Sequence, residues 1–112
     1  VIGIFQPHLY SRTVKLQEAF GQAFRGLDEL ILTDIYPARE EPMPGVTGEI
    51  LLGPVLQSGV KALYIEKEKD IVRHLLHTVR PGETVVTLGA GSIWRIGEQY
   101  LDILRQRQGG RT

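Results

Sequence analysis

An imidazole, a phenol and a guanidinium fall within seven residues, Gln6-Pro7-His8-Leu9-Tyr10-Ser11-Arg12. Arginine presents a planar fork of donors to a carboxylate or phosphate. A helix start beside it adds unpaired N–H groups and partial positive charge. His8 and Arg12 are therefore candidates to hold an anion; the plainer alternative is a loop that caps a helix, with Arg12 in water. Gly89-Ala90-Gly91-Ser92 is a second candidate, because glycines after a strand let backbone N–H groups come close to a ligand. Gly89 and Gly91 fall well short of a GxGxxG fingerprint or a GxxxxGK[ST] loop, and a tight turn is the simpler reading.

A third stretch, Asp34-Ile35-Tyr36-Pro37-Ala38-Arg39-Glu40-Glu41-Pro42, is long and stiffened by proline. Its carboxylate pair suits a metal or an ammonium group, although such pairs are more often solvated. His74 and His77 have the spacing of half a zinc site. The apolar stripe of their helix runs through Ile71, Val72, Leu75, Leu76 and Val79, which turns both histidines outward and leaves no metal site expected. Trp94 and Tyr100 are expected to pack rather than to stack on a ligand. The chain has no phosphate-binding lysine loop and no complete acid–base set, so it is not expected to do chemistry alone.

The elements that must position these residues alternate. Residues 1–5, 29–36, 60–65 and 84–88 read as buried strands. Residues 11–27 have helical period, with Leu16, Phe20, Ala23, Phe24 and Leu27 on one face and Ser11 or Thr13 as cap. Residues 50–56 suit a short helix and 70–79 a longer one. A last helix follows Ser92 with Ile93, Ile96, Tyr100, Leu101 and Leu104 as its buried stripe, and residues 106–112 are expected to fray. Strand–helix alternation predicts an α/β fold, a Rossmann-like three-layer domain with a mainly parallel sheet. Ligands of such sheets bind beyond the carboxyl ends of the strands, here residues 6–12, 36–44, 66–69 and 89–92.

Length and composition bound the function. The 112 residues make a single domain, 1–112. Thirteen basic and thirteen acidic residues cancel, which gives no electrostatic reason to expect nucleic acid or a membrane surface as partner. The absence of cysteine excludes disulfides and thiolate chemistry and fits a reducing cytosol. The chain opens on Val1, inside an apolar run, so it is expected to be excised from something longer and to carry no signal peptide.

The stretch Gly3-Ile4-Phe5-Gln6-Pro7-His8-Leu9-Tyr10-Ser11-Arg12-Thr13 resembles the FQPH-x-[YF]-[ST]-R-T signature of UDP-N-acetylmuramate–L-alanine ligases. The segments from Asp34 to Gly45 and Leu88 to Ile93 resemble two further motifs of that family, in the same order. The resemblance implies a cytoplasmic three-domain enzyme of peptidoglycan synthesis. ATP and magnesium, held mainly by a central domain, activate the muramoyl carboxylate as an acyl phosphate; the amine of L-alanine then displaces phosphate. This chain would be the C-terminal domain that closes over the substrates, lacking the first strand and helix of the full family domain. Its partners would be L-alanine, UDP-N-acetylmuramate, ATP and its own N-terminal and central domains.

His8 and Arg12 match the family's substrate loop, while Leu9 stands where many members have a second arginine. Tyr36, Ala38 and Glu40 fall where a related ligase carries its specificity motif. Ala38 replaces that motif's arginine, as a small substrate without a distal carboxylate would allow. The alternatives are a free-standing nucleotide- or anion-binding α/β module, a structural domain, and the C-terminal domain of the related murein peptide ligase.

Overall fold

The computed structural model describes residues 1–37, 39–89 and 93–109, the last two by their backbone alone. Four short apolar segments form one sheet: β1 (Ile2–Gln6), β2 (Glu29–Leu32), β3 (Ala62–Tyr64) and β4 (Val85–Gly89). All pairings are parallel, in the order β3-β2-β1-β4, with Ile4 opposite Ile31 and Gln6 opposite Gly89. Parallel strands need crossovers, and each crossover here is helical. They are α1 (Tyr10–Lys15) with α2 (Gln17–Ala23), a 3₁₀ turn (Gly48–Leu51) with α3 (Leu52–Gln57), and α4 (Glu68–Thr78); α5 (Trp94–Gly109) closes the chain.

Alternation along the strands splits the core in two. Ile2, Ile4 and Ile31 pack with Ile71, Val72 and Leu75 of α4 and with Ile96 and Tyr100 of α5. On the other face Leu30 and Leu32 pack with Phe24, Leu51 and Val55. Central β2 is therefore apolar on successive residues, as a strand covered on both faces must be. The three-layer α/β architecture is the expected one.

Several local expectations need correction. The helix expected over 11–27 is two helices, broken at Leu16, where φ is −109° and ψ is 20°. The Thr13 hydroxyl donates to the Leu9 carbonyl at 2.7 Å, one turn back, a bond that bends helices. After the break Phe20 and Phe24 lie on Phe5, with ring centroids 5.2 and 4.9 Å apart, while Leu16 and Ala23 face solvent. Neither Ser11 nor Thr13 is the cap; Leu9 is, and it caps through no side chain. The strands expected over 29–36 and 60–65 shorten to β2 and β3. Trp94 and Leu101 are exposed rather than packed, and α5 continues through residues 106–109 instead of fraying from 106.

His74 is the last correction. It is half-buried, and its Nε2 lies 2.9 Å from Glu29 Oε1; Lys61 Nζ approaches the other oxygen at 3.5 Å. The stripe argument fails because Glu29, at the start of β2, stands high enough to meet the flank of α4. His77 is exposed as expected. His74→Ala is expected to destabilise the chain by about 1 kcal/mol, since it strips a partner from a mostly buried carboxylate. His77→Ala should stay within about 0.5 kcal/mol of the parent. Urea unfolding at neutral pH checks both; equal midpoints for the two variants would contradict the pairing.

Candidate functional site

Strand order places the site. From β1 the chain steps to β2 and β3 on one side, then returns to put β4 on the other. Neighbouring crossovers diverge at β1 and β4, and the crevice beyond their carboxyl ends is where such sheets bind ligands. Gln6 and Gly89 close its floor as a register pair. Gly89 has φ 127°, and a Cβ there would lie 2.4 Å from the Gln6 carbonyl oxygen, so the position takes only glycine. The side-chain Oε1 of Gln6 is buried without a hydrogen-bond partner among the described residues. A buried acceptor in that state is costly. Sequence reasoning passed over Gln6; the available signal was a polar residue ending an apolar strand.

Past Gln6 the first loop is zipped to the third stretch. The Tyr36 N–H donates to the Pro7 carbonyl at 2.8 Å, and the Leu9 N–H donates to the Tyr36 carbonyl at 2.9 Å. These bonds make a one-pair parallel bridge between His8 and Tyr36, whose rings stack with centroids 5.8 Å apart. Leu9 pays for the sharp turn that follows: its φ of 65° is the sole positive value among the described non-glycine residues. Its carbonyl accepts from both the N–H and the hydroxyl of buried Thr13.

Glu40 joins this assembly. Its Oε1 accepts from the Ser11 N–H at 3.1 Å, and Oε2 accepts from the Ser11 hydroxyl. The Ser11 hydroxyl, the Ser11 N–H and a bond to the Tyr10 backbone hold the Glu40 carboxyl below its ordinary pKa. The contact is therefore complete at neutral pH and is lost only as pH falls through that lowered value. Two expectations change here. The α1 start is not an open anion site, because the helix has six residues and Glu40 already occupies its end. Glu40 is also not simply solvated beside Glu41, which is exposed.

Arg12 stands one residue beyond Ser11, exposed, and lines a shallow hollow with Leu9, Ser11, Lys15 and Leu16. The other sheet end has the opposite character: burial, then Asp34 and Glu66, push the Tyr64 phenol at the end of β3 up to about 12.

No family model matches the chain. Curated proteins do. The UDP-N-acetylmuramate–L-alanine ligase of Geotalea uraniireducens is 49% identical over 102 residues, which cover 90% of this chain and 22% of that protein. The ligase of the same name from Cutibacterium acnes is 44% identical over 104 residues, covering 93% and 22%.

Along nine-tenths of its length the chain is similar to UDP-N-acetylmuramate–L-alanine ligases.

It spans 22% of the length of these curated ligases. The fold agrees with the crystal structure of the Thermotoga maritima UDP-N-acetylmuramate–alanine ligase, with a TM-score of 0.64 over 95% of this chain and 20% of that one, at 21% identity. Of the residues that the ligase resemblance singles out, the structure brings His8, Tyr36 and Glu40 into one assembly and sets Arg12 on its rim. Gly89 lies across β1 from them, in the crevice floor. Ala38 and Gly91 lie outside the described residues. Ser11, which sequence reasoning considered only as a helix cap, is the residue through which Glu40 enters.

Proposed function

We propose that the chain is the C-terminal, substrate-closing domain of a cytoplasmic ATP-dependent ligase that joins L-alanine to UDP-N-acetylmuramate in peptidoglycan synthesis. The observation that carries this is the match to ligases of that name along nine-tenths or more of the chain. The geometry supports it by gathering a histidine, a tyrosine and a carboxylate at the sheet end where such folds take their ligands. On the ligase resemblance, magnesium and the ATP phosphates are held mainly by the central domain. What this chain supplies is positioning and charge. Alanine's attack on an acyl phosphate builds negative charge on oxygen, and the guanidinium of Arg12 stabilises that charge. His8, fixed by its stack on Tyr36, lines the approach. Closure of the domain excludes water and completes the site.

The test is an assay of the intact protein that carries this chain. It should release phosphate only when ATP, UDP-N-acetylmuramate and L-alanine are all present. The 112 residues alone should release none, since they contain no phosphate-binding loop. An intact protein inert towards this set of substrates, or ligation by the 112 residues alone, would sink the proposal.

A further inference from the structure

We propose that Glu40 is a positioning residue: its carboxylate clasps Ser11 and so holds the strained turn at Leu9 that fixes His8 and Arg12. The proposal rests on the ligase reading for its kinetic test only.

Leu9 has φ 65° and ψ 138°, a backbone region that belongs almost entirely to glycine. A leucine stays there only if its surroundings over-determine it, and here they do from three directions. Its N–H is bound to Tyr36, its carbonyl to Thr13, and the residue two positions on, Ser11, is held by Glu40 through both N–H and hydroxyl. The turn makes the site. On its near side His8 continues β1 and stacks on Tyr36; on its far side α1 begins and carries Arg12. If Leu9 relaxed to a negative φ, the path of the chain would change between the two, and His8 and Arg12 would lose their relative placement. Glu40 and Tyr36 both belong to the third stretch, so this stretch acts as a strap across the first loop. The Glu40 oxygens are engaged by Ser11, which makes a direct grip on a substrate ammonium group the less fitting role.

The experiment pairs Glu40→Ala with Leu9→Gly, because glycine adopts the turn without needing a clasp. In the intact ligase Glu40→Ala should lower kcat/KM for alanine on the order of tenfold, as misplacing a site residue does. Glu40→Gln, which keeps an oxygen to accept from Ser11, should lose less. Adding Leu9→Gly to Glu40→Ala should restore part of the loss, and Ser11→Ala should couple to Glu40→Ala rather than add to it. An equal loss in the Leu9→Gly background, or full additivity with Ser11→Ala, would show that Glu40 touches substrate directly and would overturn the proposal. So would a lowered melting temperature with unchanged kcat/KM.

A second readout needs no catalysis. In the isotope-labelled chain, Glu40→Ala should shift the His8 ring resonances and Leu9→Gly should return them towards the parent positions. Unmoved His8 signals would overturn the clasp even if ligation is normal. An intact protein without ligation but with the expected His8 shifts would overturn the proposed function and leave the clasp standing.

Discussion

On the proposed function, Arg12→Ala in the intact protein is expected to lose about 2–4 kcal/mol of transition-state stabilisation, by analogy with removal of one preorganised donor. At 1.36 kcal/mol per factor of ten, that is roughly a 30- to 1000-fold fall in kcat/KM. The side chain is exposed on the first turns of α1 and forms no ion pair with a described residue, so its charge is uncommitted within the domain. Its planar guanidinium can meet a carboxylate or phosphate oxygen through two parallel N–H donors. Lys15, one turn further on, is a point charge in the same hollow. Arg12→Lys should therefore recover only part of the loss. An exposed position contributes little to folding, so the mutant domain should melt within a few degrees of the parent. Melting curves and kcat/KM are measured on the same preparations. A collapse of stability with wild-type activity in the folded fraction would make Arg12 a structural residue and remove it from the site.

The contrast between Arg12 and His74 shows what was legible in the sequence. All four strands are runs rich in apolar residues and so were visible, although β3 and β4, at the sheet edges, are only half-buried. Their alternation with helices led directly to a parallel sheet with layers on both faces. The site loops were visible for the same reason: ligands of such sheets sit where strands end. What periodicity does not carry is what happens at the ends and seams. Leu16 has the spacing of a buried helix residue but lies at a break between two helices, which no hydrophobic pattern encodes. His74 sits off the apolar stripe, yet it meets Glu29 across 45 residues of sequence. Glu40 reaches Ser11 across 29. Such long-range polar pairs depend on strand order and loop path, which single-sequence patterns leave open. The positive φ of Leu9 is hidden in the same way, because local rules would assign that conformation to glycine.

Gly89→Ala should be the most damaging small substitution at the crevice, destabilising the chain by about 2–6 kcal/mol. Two costs add. The backbone at φ 127° lies in a region that alanine occupies only under strain, worth about 1–3 kcal/mol. The new methyl would also lie 2.4 Å from the carbonyl oxygen of Gln6, and relieving such an overlap by moving backbone costs a further 1–3 kcal/mol or so. The movement has to occur between β1 and β4, because Gln6 and Gly89 are the last pair of that ladder. The crevice floor would open just where the first loop leaves β1. For a chain of this size the melting temperature should fall on the order of 10 °C. Gly82→Ala is the control: it also has positive φ, 90°, but no atom lies within 4 Å of its added methyl, so it meets strain without overlap. Its cost should be about 1 kcal/mol. Thermal melts of the two variants separate the terms. If Gly89→Ala melts no lower than Gly82→Ala, the close approach of Gly89 to Gln6 does not exist in solution, and β4 does not form the crevice wall described for it.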